Sequence, residues 1–361
     1  MAQLSLFHAQ KPPAVFALFL CSGGFMKRLL TLTLFATAAT AGAQGNLTFV
    51  CGAQADWCQV VANAYKKETG GEAKFLRLSA GESLARLRAE KANPSFDVLF
   101  GGTGDVHEAG TKEKLLTFYK PKAWNELYPE LRKQVKDAYI PLYTGALGLA
   151  VNDTVLKKRN LAAPTDWPDL GDPKYKGLIA MPNPNTSGTA YTMITTLIQI
   201  YGEDKAFDLL KKIHNNVPRN GYTRPGSGAA FLAARGEVAV GVTFLHDAVA
   251  QNVRGFPVRA VAPKAGTGTE IGGVSLVTDG PNAAAGKQFI DFVLKPETQK
   301  LAATVESFQI QSNAKTPVAA ASPKLDKIKL IDYDFGKWGD SATRARIISR
   351  WTKEVFPLPR R

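Results

Sequence analysis

Short apolar runs that stop on a glycine or a capping residue and hand over to helical spacing recur along the first part of the chain, and few folds accommodate them. Leu47-Thr48-Phe49-Val50 stops at Cys51-Gly52; Val60, Val61, Ala64 and Tyr65 then lie on one helical face that ends at Thr69-Gly70-Gly71. Ala73 to Leu78 runs into Ser79-Ala80-Gly81-Glu82, a capping signal for a helix through Ala89. Phe96-Asp97-Val98-Leu99-Phe100 stops at Gly101-Gly102-Thr103-Gly104. Strands alternating with helices of roughly 10–15 residues predict βαβ units around a parallel sheet.

The middle of the chain repeats the theme. Ala138 to Val151 holds two β-like stretches around Gly145, which suits a crossing into a second lobe. Lys176 to Pro182 reads as a strand running into Asn183-Pro184-Asn185-Thr186-Ser187-Gly188-Thr189, with an apolar helix from about Ala190 to Tyr201. Helices follow at Lys205 to His214 and Gly228 to Arg235. Val238 to Thr243 has the continuous apolar character of a strand buried on both faces. Val258 to Ala262 and Ile271 to Val277 read as strands returning to the first lobe. Ala283 to Leu294 and Ala342 to Val355 are helical, the latter with Ile347, Ile348 and Trp351 on one stripe.

The N-terminal segment has a different purpose. Met26-Lys27-Arg28, the apolar run Leu29 to Ala36 and Ala41-Gly42-Ala43 follow the layout of a secretory signal peptide, with cleavage expected after Ala43. A complete signal beginning at Met26 suggests translation from that methionine, residues 1–25 being an upstream extension. A lipid anchor on Cys21 is the rival, disfavoured by the charged dipeptide and second apolar run that follow it. Segment 44–361 holds 318 residues, more than one core usually supports, so two lobes are expected.

Without Lys11, Lys27 and Arg28 the formal charge falls from +14 to +11. The basic residues are scattered, without runs or aromatic interleaving, so nucleic acid is not the expected partner. A positive field instead raises the local concentration of an anionic solute. Cys51 and Cys58 are the cysteines left after cleavage, and an even, local pair in an exported protein reads as a disulfide.

The residues Gly52-Ala53-Gln54, Phe96 to Thr103, Trp167 to Gly177, Asn185 to Thr189 and Arg235-Gly236-Glu237-Val238, in this order and spacing, resemble the periplasmic solute-binding proteins of ABC importers. The resemblance lies in the branch that binds ferric ion, sugar phosphates and aminoethylphosphonate. It implies an α/β, type II two-lobe periplasmic-binding-protein fold, each lobe a mainly parallel sheet flanked by helices, with the ligand cleft between lobes. Residues 44–143 would open the first lobe, 144–262 form the second, and 263–361 return to the first and add C-terminal helices. The implied partner is a membrane permease, the implied location the periplasm, and the expected state a monomer without cofactor.

Chemistry concentrates in a few places. Thr186, Ser187, Gly188 and Thr189 lie between a strand and a helix, where free backbone N–H groups, a partial positive charge and hydroxyl donors suit phosphate or carboxylate. An ordinary N-cap would need only one of those hydroxyls. Arg224 and Ser227 precede another helix and could supply a charge and a donor, or only a turn and a cap. His246-Asp247, after the buried strand, resembles the sugar-phosphate branch, in which a histidine, the next aspartate and a later glutamate bind sugar hydroxyls; Glu270 is the matching candidate. The ferric binders place adjacent tyrosines near this point, whereas no tyrosine occurs here between Tyr222 and Tyr333. Ferric iron needs anionic oxygen ligands, so that departure disfavours it. First-lobe candidates are Gln54, Gly102 and Thr103, with Gly52, Asp56, Gly101, Ser79 and Glu82 nearby.

No nucleophile elbow, zinc-protease helix, P-loop or dinucleotide fingerprint is present, so no catalytic residue is assigned. The leading expectation is capture of a hexose phosphate by hinge closure. Aminoethylphosphonate, ferric iron with a synergistic anion, and an exported transferase or hydrolase are the alternatives.

Overall fold

The computed structural model describes residues 45–360; the signal-peptide segment and the extension before Met26 lie outside them. The first three strands, Leu47–Cys51, Ala73–Arg77 and Val98–Phe100, pair in parallel with Leu47–Cys51 in the centre. The helices Ala55–Thr69, Ala80–Ala89 and Gly104–Lys112 connect and flank them. In the second lobe Ile179–Pro182 pairs in parallel with Tyr222–Thr223 and with Val240–Phe244.

Two long strands make the sheets mixed rather than purely parallel. Ile140–Asn152 is one continuous strand, not two stretches around Gly145. Its first half pairs antiparallel with Thr269–Val277, and its second half with Val240–Phe244 and Val258–Val261. Thr269–Val277 also pairs antiparallel with Val98–Phe100. The segment expected to return at 258–262 therefore stays with the second lobe, because its hydrogen-bonding partners are Leu149 to Asn152. The glycine that suggested a break is needed for packing: a Cβ on Gly145 would stand 2.8 Å from His246 Nδ1.

Each lobe has apolar packing on both faces of its sheet. Phe49, Trp57, Tyr65, Phe100 and Phe289 fill one side of the first lobe, with Val50, Leu84, Leu99 and Val106 on the other. In the second lobe Trp167, Tyr191, Phe207 and Trp351 oppose an alanine-rich layer that includes Ala150, Ala229 and Ala233. The last helix, Ser341–Glu354, belongs to this second core through Ile347 and Trp351. It reaches the first lobe through Arg344, whose Nε donates to Asp105 Oδ2 at 2.8 Å in a buried ion pair. Cys51 and Cys58 form the expected disulfide, joining the end of the first strand to the first helix.

Candidate functional site

Parallel strands deliver the next helix with its N-terminus at their carboxyl edge, and here those edges face each other across one cleft. Gln54, Ser79 and Thr103 from the first lobe and Ser187, Ser227 and Phe244 from the second line it, and each is the residue before a helix. Six helix N-termini on one cavity superpose their positive ends and leave N–H groups without intrahelical partners. An anion is the complementary occupant.

The hydroxyls divide by what already engages them. Ser79 is committed to its helix: its N–H and Oγ both donate to Glu82 Oε2, at 3.0 and 2.6 Å. Thr103 Oγ1 donates to Asp105 Oδ1, so toward the cleft it can only accept. Ser187 Oγ is buried without a partner, and the hydroxyls of Thr189 and Ser227 make no hydrogen bond among the described residues. Thr186 departs from expectation, because its hydroxyl donates to the carbonyls of Asn183 (3.2 Å) and Arg224 (3.0 Å) and does not line the cleft. Gly188 is required where the lobes touch, since a Cβ there would fall 1.8 Å from Thr103 Oγ1.

His246, Asp247 and Glu270, which the resemblance to the sugar-phosphate branch grouped, lie together. His246 Nε2 stands 3.8 Å from both Asp247 Oδ1 and Glu270 Oε1, and all three side chains are buried. Burial holds the His246 imidazole below its ordinary range, with Asp247 opposing. Burial, reinforced by Asp247 and Asp105, pushes the Glu270 carboxyl well above its ordinary range. Both groups are therefore biased toward neutrality, and His246 Nδ1 has no hydrogen-bond partner. Asp247 accepts from Thr243 Oγ1 at 2.8 Å and, across the cleft, from Gln54 Nε2 at 3.0 Å. Gln54 Oε1 in turn accepts from Ser307 Oγ and Gln309 Nε2, leaving Gln309 Oε1 buried and unpartnered.

Arg224 is placed differently from expectation. It lies outside the inner cleft, exposed, and pairs with Glu82 of the first lobe, Nε to Oε1 at 3.0 Å. Its reach across the mouth, between a second-lobe turn and a first-lobe helix cap, makes it a link between lobes. Arg254 and Glu306 form a parallel link, and Gly81 N–H donates to Thr186 O at 2.9 Å. Asp56 is exposed on an outer cavity, not in the inner cleft.

Several lining groups carried no local signal. Arg77 ends the second strand, Tyr143 lies on the crossing strand and Gln309 comes from the C-terminal part. Tyr143 Oη accepts from Gly102 N–H at 3.3 Å. Burial, with Glu270 adding to it, pushes that phenol well above its ordinary range, so it stays protonated. The other histidines among the described residues are structural: His107 contacts Ser275 Oγ and Gly101 O, and His214 contacts Tyr222 Oη and Leu358 O. Among the described residues no cluster of three or more His, Cys, Asp or Glu side chains is arranged to hold a metal.

Two α/β lobes joined by crossing strands around a polar cleft define a solute-binding protein with the type II periplasmic-binding fold. The chain belongs to the bacterial extracellular solute-binding protein family, whose pattern matches residues 93–337. It is similar to the periplasmic binding protein AfuA from Actinobacillus pleuropneumoniae, solved with exogenous fructose-6-phosphate bound. Identity is 38% with a TM-score of 0.83, covering 87% of this chain and 99% of that one. A Haemophilus influenzae protein without assigned function is 37% identical over 89% of this chain and 93% of its own length. A Salmonella paratyphi A protein, provisionally described as a 2-aminoethylphosphonate-binding periplasmic protein, is 28% identical over 67% of this chain and 70% of its own. The chain is thus a substrate-binding component of the ABC-transport type and not an enzyme. Its family works in the periplasm with membrane permeases and small solutes.

Proposed function

We propose that the protein captures a small phosphorylated solute, a hexose phosphate, by closing its lobes and presents it to an inner-membrane permease. The carrying observation is the polarity of the cleft. Unengaged hydroxyls and helix N-termini at Ser187 to Thr189 and Ser227 suit a phosphate, which needs donors. The buried group of His246, Asp247 and Glu270 suits hydroxyls, which need acceptors and a few donors. Gln54, Gly102 and Thr103 complete the first-lobe wall in this reading. The resemblance to a protein solved with fructose-6-phosphate points the same way.

2-Aminoethylphosphonate fits the donor end equally well and places its amine against the carboxylates, a reading favoured by the Salmonella relative. Ferric iron fits less well, because the tyrosine that lines the cleft is held neutral and already accepts a backbone N–H. The proposed route to the periplasm is the signal at 26–43, and the proposed state is a monomer.

Native mass spectrometry paired with thermal-shift measurements on hexose phosphates, free hexoses, 2-aminoethylphosphonate and ferric citrate tests the proposal. One intact hexose phosphate bound per chain, with a raised melting temperature, is expected. Stabilisation by ferric citrate alone, or release of inorganic phosphate, contradicts it.

A further inference from the structure

Among the residues lining the inner cleft, Arg77 is the one arginine or lysine, and the lining acids are Asp247 and Glu270. Its backbone is pinned on both sides. It closes the strand Ala73–Arg77 in register with Cys51, which is disulfide-bonded to Cys58. Leu78 N–H donates to Cys51 O at 3.0 Å, and Ser79 caps the next helix. The half-buried side chain stands where the inner cleft meets a larger outer cavity of about 560 Å³, and it forms part of both walls.

The oppositely charged or polar groups beside it are committed elsewhere. Glu82 takes Ser79 and Arg224, Asp247 takes Gln54 and Thr243, and Tyr143 takes Gly102 N–H. None of the hydrogen bonds or ion pairs among the described residues uses the Arg77 guanidinium. Arg224, Arg254, Arg344 and Arg350, by contrast, each engage a carboxylate. Burial opposes its charge, drawing the guanidinium pKa below its ordinary value. Five fixed donors without an acceptor, at the neck of a cleft rich in N–H groups, are complementary to a planar pair of anionic oxygens.

We infer that Arg77 reads the charge of the solute: its guanidinium takes two oxygens of the anionic group and sets a preference for a dianionic phosphomonoester over monoanionic or neutral molecules of the same shape. The inference rests on the cleft being a phosphate-ester site. Position-specific charge reading is separable from simple packing, because a sulfate ester copies the shape of a phosphate ester with one charge less.

Calorimetric titration of wild type, Arg77→Gln and Arg77→Lys with glucose 6-phosphate, glucose 6-sulfate and glucose is the test, with apo melting temperatures as the folding control. Wild type should prefer the phosphate over the sulfate ester by about tenfold or more. Arg77→Gln should weaken the phosphate ester by about 10–100-fold and draw that ratio toward one. Arg77→Lys keeps the charge and loses the fork, so it should fall between the two; it also carries the test if the glutamine variant fails to fold. If a folded variant at position 77 keeps wild-type affinity and ratio, the assignment to Arg77 is wrong while the functional reading stands. If wild type binds no phosphate ester, the functional reading falls and this inference falls with it.

Discussion

Ser187 Oγ is buried without a hydrogen-bond partner, and a buried hydroxyl in that state costs stability. Removing it should therefore leave the melting temperature of the empty protein unchanged or slightly higher. A hydrogen bond to a charged group is worth about 1.5–3 kcal/mol, so Ser187→Ala should weaken a phosphate ester roughly 10–100-fold by calorimetry. Thr186→Ala is the internal contrast. Its hydroxyl is spent on two carbonyls, so affinity should stay within about threefold while the loop becomes less stable. Glu270 gives a pH signature. Its native pKa lies well above the unfolded value of 4.5, so its contribution to stability is fully present below 4.5 and is lost as pH rises toward the native pKa. Glu270→Gln removes that slope, and its melting temperature relative to wild type should rise progressively above pH 4.5. A pH-independent difference would mean that Glu270 is already ionised in the native cleft.

At the scale of elements, the helix after Ser187 and the helix cap at Ser79 were legible because in each case a hydroxyl follows a strand within a few residues and a glycine stands one or two positions on. The disulfide was legible for the same local reason. It closes a loop small enough that chain entropy ascribes it about 2–3 kcal/mol, which Cys51→Ala with Cys58→Ala should show as lost unfolding free energy in urea. Arg77, Tyr143 and Gln309 were not legible, because each is an ordinary residue locally and gains its place only when separate elements meet. Arg224 shows the converse. Its Gly- and Pro-rich turn looked like a ligand loop, yet the guanidinium meets Glu82 on the opposite lobe, a contact encoded 142 residues away. With Arg254–Glu306 it forms a pair of links across the mouth. Exposed ion pairs add little to folding, so Arg224→Gln with Arg254→Gln should spare the melting temperature. Ligand dissociation should become several-fold faster by stopped-flow, and an unchanged dissociation rate would show that the links do not hold the lobes together.

For the whole molecule, the alternation of strands and helices was enough to anticipate two α/β lobes, while the mixed character of the sheets depended on how far one strand continues. Ile140–Asn152 crosses from one lobe to the other without a break, and Thr269–Val277 runs beside its first half. The chain returns between Val258–Val261 of the second lobe and Thr269–Val277 of the first, and two such crossings permit hinge closure with few backbone changes. The lobes meet through Gly188 against Thr103, Gln54 against Asp247 and the two arginine links, so the cleft described is a closed one. Binding energy then comes from groups on both lobes: Ser187, Ser227, His246 and Asp247 stand on the second, and Gln54, Thr103 and Glu270 on the first. The measurement that bears most directly on this account is calorimetric titration of the purified wild-type protein with glucose 6-phosphate and fructose 6-phosphate, beside the parent hexoses and ferric citrate. The account predicts one site per chain, a dissociation constant in the micromolar range or tighter for a hexose phosphate, and binding weaker by about 100-fold or more for the free hexose. Equal affinity for the free and phosphorylated sugar, or binding of ferric citrate alone, would contradict it.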